Sequence, residues 1–202
     1  MKKAVRRHKA KELIAETIIA NSDCNLTELK IDFPYYDYAE EIHRHFADGK
    51  LDGLSKENMK RIGNDELFDL RFDIAFQPVY KDYFIHSLKH TTNRYLETKL
   101  MELGFDLNVV GEDEKTGLCP CCHYYSIDYG EDGLWDICPV CFWENGGNGP
   151  NHMSLEEAQQ NFERYGAMSE SSMKHVDPEG TLKYQNAHNT GYEDALNAFG
   201  KR

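Results

Sequence analysis

Residues 119–122 read Cys-Pro-Cys-Cys and residues 138–141 read Cys-Pro-Val-Cys, and these two units decide the fold of the second half of the chain. Each unit holds two cysteines separated by two residues, and fifteen residues lie between the units. This double spacing is typical of a zinc site, because each turn aims two thiolates at one ion. Proline at the second position favours a tight turn, since its ring fixes φ. The pattern predicts one Zn²⁺ with four thiolate ligands: Cys119, Cys122, Cys138 and Cys141.

Two other uses of these cysteines remain open from the sequence. A disulfide framework would need an oxidising compartment, and no feature of the chain indicates secretion. A thioredoxin-like redox motif needs a single Cys-x-x-Cys unit within a βαβ element, whereas this chain has two. The zinc interpretation is therefore favoured. Because four protein ligands complete the tetrahedron, we expect a structural ion and predict no catalytic residues.

Three more side chains are candidates for supporting the site or for replacing a ligand. Cys121 lies between two predicted ligands, and we expect it to be a small buried hydrophobe; a reactive thiol is the alternative. His123 directly follows the first unit. His152 follows a glycine-rich loop, and we expect it to form a structural hydrogen bond, with a spare ligand or a catalytic base as alternatives.

The composition indicates a folded and strongly acidic protein. Hydrophobic residues make up 40% of the 202 residues and aromatic residues 12%, which favours packed cores over disorder. The net charge is −12, although residues 1–11 carry six basic side chains and no acidic one. The rest of the chain therefore repels phosphate backbones and suits a basic partner, while solubility is the simpler explanation of the excess acid.

The sequence gives no indication of a membrane segment. No stretch approaches the ~20 apolar residues that a transmembrane helix needs. The basic N-terminus lacks the apolar core and the small-residue cleavage site of a signal peptide. We therefore expect a soluble, cytoplasmic protein with reduced cysteines.

The first half of the chain shows helical and alternating patterns in turn. The predicted helices cover 3–20, 37–46, 55–62 and 81–103, and the predicted strands cover 27–33 and 69–76, with a helix as the alternative for the last. We expect the basic start of the first helix to be solvated and frayed, a nucleic-acid-binding arm being the alternative. His43 and His45 are expected at the surface, as are His86 and His90, which stand at helical i, i+4 spacing.

The sequence pattern in the second half of the chain predicts a zinc ribbon. Strands over 124–129 and 134–137 would flank a turn at Asp132-Gly133 and join the two cysteine units. Ser154 and Glu157 form a capping box, which begins a helix that runs to about Tyr165. A polar, glycine-flanked linker over 110–117 separates the halves. The fold class is therefore α+β: a mostly helical domain over 1–112 with a few strands, then a small zinc-ribbon-like domain over 113–202 with C-terminal helices.

Residues 119–166 resemble the cysteine-rich CPCC domain of bacterial proteins. The shared motifs are Cys-Pro-Cys-Cys at 119–122, Ile-Cys-Pro-Val-Cys-Phe-Trp-Glu at 137–144, Gly-Pro-Asn-His-Met-Ser-Leu-Glu-Glu-Ala at 149–158, Asn161-Phe162 and Gly166. His123 stands where the family usually has glycine, and Asn145-Gly146 where it has two aspartates. The resemblance implies a zinc-binding module without an established activity, often encoded near toxin and immunity systems.

Three functions compete at this point. The favoured one is a protein–protein interaction module, an immunity or antitoxin protein that neutralises a toxin with a basic surface. An enzyme that uses Cys121 with His123 or His152, or a nuclease-like zinc protein, is the first alternative. A nucleic-acid-binding ribbon is the second, and it is disfavoured because Arg164 is the one Lys or Arg in 117–166.

Overall fold

The computed structural model describes residues 2–21, 38–51, 53–64, 76–111 and 114–189. The chain divides into two compact units: residues 1–89 with 99–109, and residues 90–98 with 110–202. The strand predicted over 27–33 lies outside the described residues, and so does nearly all of the one predicted over 69–76. The boundary predicted from the sequence at 112/113 stays a prediction.

The described part of the chain is mostly helical with a few strands, which confirms the predicted α+β class. The strands are β1 (Lys3–Arg6), β2 (Leu107–Val110), β3 (Thr116–Leu118) and β4 (Tyr125–Asp128). The helices are α1 (Arg7–Asn21), α2 (Tyr38–Ala47), α3 (Lys56–Gly63), α4 (Gln77–Ser87), α5 (Asn93–Glu102), α6 (Asn148–Asn151), α7 (Leu155–Tyr165) and α8 (Gly180–Lys183). Helices dominate the N-terminal region, and the cysteine-rich region follows it.

The N-terminus differs from its prediction. The helix begins at Arg7 rather than at residue 3, because residues 3–6 form strand β1, which pairs with β2. Two cations of the basic cluster are buried, with Arg7 only 6% and Lys11 only 5% exposed. The expectation of a frayed end was therefore wrong, because pairing with a distant strand outweighs the local helical pattern. The other four basic side chains of the cluster are exposed, as expected: Lys2, Lys3, Arg6 and Lys9.

The first unit has its own hydrophobic core. The buried side chains of this core are Ile19, Ile42, Leu51, Ile62, Phe76, Val79 and Tyr80. His45, expected at the surface, is 1% exposed. Its Nδ1 donates to the Glu41 carbonyl over 2.8 Å, and its Nε2 lies 2.9 Å from Asp82 Oδ2. Burial is tolerated because both ring nitrogens have partners, which join α2 to α4.

The long helix predicted over 81–103 is broken. Helix α4 ends at Ser87 and α5 begins at Asn93, and His90 between them has a left-handed φ of 63°. The Thr92 hydroxyl accepts a hydrogen bond from the Tyr95 backbone N–H over 3.1 Å, which gives α5 a new N-terminal cap. His86 and His90 therefore do not share a helix face. Local side-chain capping outweighs the apolar periodicity here.

The second unit contains a short antiparallel hairpin whose partner strand was not predicted. Strand β4 pairs with β3, which precedes the first cysteine unit, and Gly117 lies opposite Ile127. Residues 130–133 form a 3-10 helix, and Ile137 makes only an isolated bridge, with Glu144. A Cβ on Gly117 would lie 2.1 Å from the Asp128 carbonyl oxygen, so only glycine allows this close approach.

Helix α7 begins and ends where the sequence predicts. Ser154 caps α7 by accepting from the Glu157 backbone N–H, and Gly166 ends the helix with a left-handed φ of 70°. Residues 90–98 join this unit through two contacts. The Thr92 N–H donates to the Lys183 carbonyl over 2.8 Å, and the Tyr95 hydroxyl donates to Glu179 over 2.8 Å.

In the part of the chain that the structure describes, no helix has both the length and the apolar character needed to span a membrane.

Candidate metal centre

Four buried cysteine sulfurs form one cluster in the second unit. The Sγ atoms of Cys119, Cys122, Cys138 and Cys141 all lie within 4.8 Å of one another. Two of these separations, Cys119 to Cys141 and Cys122 to Cys138, are both 3.6 Å. These pairs join one cysteine unit to the other, so both units face the same point. Four buried sulfurs this close together are consistent with a metal site.

Both units fold into the same turn, which we call the first cysteine turn (residues 119–124) and the second cysteine turn (residues 138–143). In the first, the His123 N–H donates to the Cys119 carbonyl over 3.0 Å. In the second, the Phe142 N–H donates to the Cys138 carbonyl over 2.8 Å. In each turn the first cysteine N–H also bonds the carbonyl five residues on, over 2.9 Å. The repeated sequence pattern thus produces a repeated backbone geometry.

The residue after the last cysteine of each turn has a backbone conformation in the left-handed region. His123 has a φ of 59° and Phe142 a φ of 69°. This conformation explains why glycine suits the position, since it has no Cβ to strain the backbone. Histidine adopts it more readily than most residues, whereas phenylalanine rarely does. The Phe142 ring is held by stacking on His175, with centroids 4.9 Å apart.

Cys121 occupies the third position of the first turn, and Val140 occupies it in the second. Both side chains are 2% exposed and belong to the same hydrophobic cluster. Cys121 is not one of the four residues whose ligand atoms lie within 4.8 Å of one another. The expectation that it packs as a small hydrophobe stays a prediction, and its equivalence to Val140 supports it.

The sulfurs are enclosed by a hydrophobic cluster that contains the cysteines themselves. Trp143 is 1% exposed, and Ile127, Val140, Ala158 and Tyr184 are also buried in this cluster. Trp143 therefore covers the cysteines with apolar surface. The core of this unit is built around the sulfurs, so we expect a metal bound here to stabilise the fold.

Segments that follow the second turn hold both turns in place by donating hydrogen bonds to their backbone carbonyls. The Gln159 side chain donates to the Pro120 carbonyl over 2.9 Å, which connects α7 to the first turn. The Met168 N–H donates to the Cys141 carbonyl over 2.7 Å, and the Asp177 N–H donates to the Pro139 carbonyl over 2.8 Å. Residues up to 177 therefore help to position the sulfurs.

The close approach of the thiols gives them very different affinities for protons. Hydrogen bonds with Cys119, the largest influence, and with Cys138 raise the pKa of Cys122, together with burial, although the hydrogen bond with Cys141 lowers it. Hydrogen bonds with all four neighbouring cysteines, again led by Cys119, raise the pKa of Cys141. Burial opposes ionisation of Cys138, but hydrogen bonds from the same thiols and from Ser126 hold its pKa well below the usual value. Without a cation, one thiolate is stabilised at the expense of the others.

The two histidines considered as possible ligands, His123 and His152, do not lie within the cluster of cysteine sulfurs. The group of close ligand atoms contains neither His123 nor His152. His152 is exposed and has a left-handed φ of 54° at the end of α6. The His123 Nδ1 lies 3.2 Å from the His188 Nε2, and the His123 carbonyl accepts from the Ala187 N–H. His123 and His152 are therefore not among the four close ligand residues, and a role for either in supporting the site stays a prediction.

Two polar residues near the cluster were missed in the sequence. Ser126 is 5% exposed, and its hydroxyl lies 3.1 Å from the Cys138 Sγ. Asn151 is 4% exposed; its side chain accepts from the Glu144 N–H and donates to the carbonyls of Glu144 and Gly147. Ser126 lies in a predicted strand of alternating residues, and nothing in that pattern indicates a contact with a cysteine. Asn151 lies in the Gly-Pro-Asn-His motif, and its role depends on the loop that it closes.

Removing the Ser126 hydroxyl should weaken metal binding without unfolding the unit. As a donor to Cys138, this hydroxyl stabilises the thiolate that the metal needs. We expect Ser126→Ala to lower metal affinity at least about tenfold, measured by competition with a chromogenic chelator. Ser87→Ala, which removes a hydroxyl of the first unit bonded to the Phe84 carbonyl, is the control. Equal affinity in both variants would contradict this role for Ser126.

Comparison with known families agrees with this geometry. The family model described as Cysteine-rich CPCC matches residues 117–181. The match covers both cysteine turns, α7 and the segment whose Asp177 N–H bonds the second turn. Residues 117–181 therefore form a cysteine-rich CPCC domain. No curated protein and no solved structure matches the chain.

Proposed function

We propose that this protein binds one structural Zn²⁺ and acts as a protein–protein interaction module, and that it neutralises a toxin with a basic surface. The observation that carries the metal assignment is the set of four buried sulfurs within 4.8 Å of one another. Zinc bound to thiolates at about 2.3 Å needs sulfurs about 3.8 Å apart in a regular tetrahedron. The two separations of 3.6 Å are close to that value. The residues present therefore fit the ion.

The ligand set favours a structural ion. Four thiolates fill a tetrahedral zinc site, which leaves no position for an activated water molecule. A zinc ion bound here would supply the cross-link that holds the two cysteine turns together. The charge of Zn²⁺ would also allow all four buried thiols to ionise, which the protein alone disfavours.

The electrostatics of the chain support a partner with a basic contact face. The net charge is −12, and between Lys115 and Arg164 the sequence contains no Lys or Arg. A nucleic-acid backbone would be repelled by this region, whereas a cationic protein surface would be attracted. The neutralisation of a toxin is proposed from the resemblance noted in the sequence and from this charge.

The partner should bind faster at low salt. We expect a partner captured by the full metal-loaded chain to have a basic surface. Its association rate constant should fall at least about tenfold as the ionic strength is raised from low to physiological values. Stopped-flow mixing of the two purified proteins measures this rate. Coexpression of the chain with a toxic partner should also restore growth.

A specific activity would contradict this proposal. If the purified chain turns over a nucleic acid or a small molecule, and Cys121→Ser or His152→Ala removes that turnover, the protein is an enzyme. An association rate that does not respond to salt would remove the electrostatic basis of the proposed interaction. Elemental analysis of protein purified without chelators tests the metal assignment separately, with about one zinc per chain expected.

A further inference from the structure

One loop of the second unit exposes three large hydrophobic side chains within residues 129–135. This loop, residues 128–136, follows strand β4, and we call it the aromatic loop. Tyr129 is 63% exposed, Leu134 53% and Trp135 64%. Exposed large apolar side chains that cluster together mark interaction sites, whereas scattered ones need no explanation. Tyrosine and tryptophan are also the residues that most often dominate binding energy at protein interfaces.

The aromatic loop is fixed by hydrogen bonds at both ends. The Asp128 N–H donates to the Asp136 side chain over 2.8 Å, which closes the loop at its base. The Asn145 side chain donates to the Gly133 carbonyl over 2.9 Å, and the Asn145 N–H donates to the Asp136 carbonyl over 2.8 Å. A Cβ on Gly133 would lie 2.2 Å from the Asp128 carbonyl oxygen, so the loop is also tightly packed at its base. The hydrophobic side chains are therefore presented by a preformed backbone, which lowers the entropic cost of binding.

Trp135 is held in an unusual conformation at the surface. Its φ is 72°, which is rare for a bulky residue. A Cβ on Gly146 would lie 2.3 Å from two atoms of the indole ring, so the ring lies directly against the glycine backbone. One face of the indole is thus supported by the protein while the side chain remains mostly exposed. An exposed aromatic residue held in a strained conformation suggests a functional role for that conformation.

The charged side chains of the aromatic loop are all acidic. Glu131 and Asp132 lie at the exposed tip, and in the described residues neither makes an ion pair. Asp128 is engaged by His90, whose Nε2 lies 3.1 Å from its Oδ1. The region from 116 to 163 contains no Lys or Arg that could neutralise the tip. A ligand of the aromatic loop must therefore match both an indole face and a pair of carboxylates.

We propose that the aromatic loop binds an arginine-bearing segment of the protein partner. Guanidinium is the side-chain group that satisfies both requirements, because it stacks on an aromatic face and donates two parallel hydrogen bonds to a carboxylate. A lysine ammonium offers a point charge without the planar surface. This inference rests on the proposed function, and it assigns the contact surface and the key residue type of the partner.

A second copy of this chain is the competing occupant, because residues 1–11 are basic. That segment is already folded within its own unit, however. Residues 3–6 form β1, Arg7 and Lys11 are buried, and Lys2 pairs with Asp106 over 2.9 Å. An arginine-bearing partner of another sequence is therefore favoured, and the oligomeric state of the free chain tests the alternative.

The test uses the metal-loaded full chain and three synthetic peptides that alternate glycine with arginine, with lysine or with citrulline. Tryptophan fluorescence reports binding, because the chain has two tryptophans and Trp143 is only 1% exposed. We expect the arginine peptide to bind at least about tenfold more tightly than the other two. Trp135→Gly, read by calorimetry, should lower that affinity at least about tenfold, and so should Glu131→Gln combined with Asp132→Asn.

Two controls separate this surface from folding and from general charge attraction. Leu182→Ala removes another exposed hydrophobic side chain of the same unit, which is 70% exposed, and should leave binding unchanged. Glycine suits the positive φ at 135, so Trp135→Gly should keep its metal content and its circular dichroism. Leu134→Ala provides a second variant of the loop at a residue with ordinary backbone geometry.

The outcomes distinguish this inference from the proposed function. If Trp135→Gly and the unmodified chain bind the arginine peptide and the partner equally, the aromatic loop is not the contact surface, although the interaction itself stands. Equal affinity for the lysine and arginine peptides would overturn the assignment of arginine. A dimer of the free chain that Trp135→Gly dissociates would identify a second copy as the occupant and overturn the proposal. Failure of the unmodified chain to bind any basic partner would overturn both.

Discussion

Replacing Cys122 by Ser will release the metal and unfold the cysteine-rich unit, whereas replacing its neighbour Cys121 will not. Cys122 lies 3.6 Å from Cys138 within the four-sulfur cluster, and a serine hydroxyl is a poor substitute for a thiolate. Structural zinc supplies about 10–16 kcal/mol to small zinc-dependent domains, which exceeds the stability of most domains. The core of this unit also consists largely of the cysteines and the residues packed on them.

The measurement is zinc content by elemental analysis, together with circular dichroism and thermal unfolding of each purified variant. Cys121→Val is the matched control, because Val140 holds the equivalent position in the second cysteine turn. It should retain one zinc and change stability by less than about 2 kcal/mol. Loss of zinc from Cys121→Val, or full zinc content in Cys122→Ser, would show that the ligands are not these four cysteines.

The cysteine turns could be predicted because their geometry is specified by residues within a few positions of one another. Two cysteines, one proline and one left-handed residue define each turn, and the backbone hydrogen bonds are internal to it. The capping box at Ser154 and the glycine at 166 were predicted for the same reason. Local chemistry of this kind leaves little for the rest of the fold to change.

Features set by distant contacts were mispredicted or missed. Strand β1 forms because β2, about a hundred positions further along, pairs with it. Strand β3 was hidden in a segment that reads as a linker, and its pairing depends on Gly117 meeting the Asp128 carbonyl. Burial of His45 depends on Asp82 of another helix. Sequence periodicity holds no information about such partners.

In the cysteine cluster, too, local features could be predicted from the sequence and distant contacts could not. The four sulfurs follow from their spacing, but the hydroxyl of Ser126 was unremarkable until the strand that carries it was placed beside Cys138. The sequence also gives no indication that Trp135 is exposed. A distant glycine, Gly146, and the positive φ at 135 together hold it at the surface.

Trp143→Ala should cost about 3–5 kcal/mol in the free energy of unfolding while leaving zinc bound under saturating metal. The side chain is 1% exposed and packs in the hydrophobic cluster that surrounds the sulfurs, so its removal leaves a large cavity. Trp143→Phe should cost much less, because the ring is partly replaced. It also removes the indole N–H, which is buried without a hydrogen-bond partner among the described residues.

Urea unfolding of the zinc-saturated variants, followed by circular dichroism, measures these differences. Trp135→Gly is the matched control, because it deletes the chain's other tryptophan from a site that is 64% exposed. Its effect should stay within about 0.5 kcal/mol, since surface substitutions rarely exceed that and glycine suits the backbone there. Equal destabilisation by Trp143→Ala and Trp135→Gly would mean that the core does not depend on Trp143. Loss of zinc from Trp143→Ala at saturating metal would mean that this side chain determines the sulfur geometry as well as the packing.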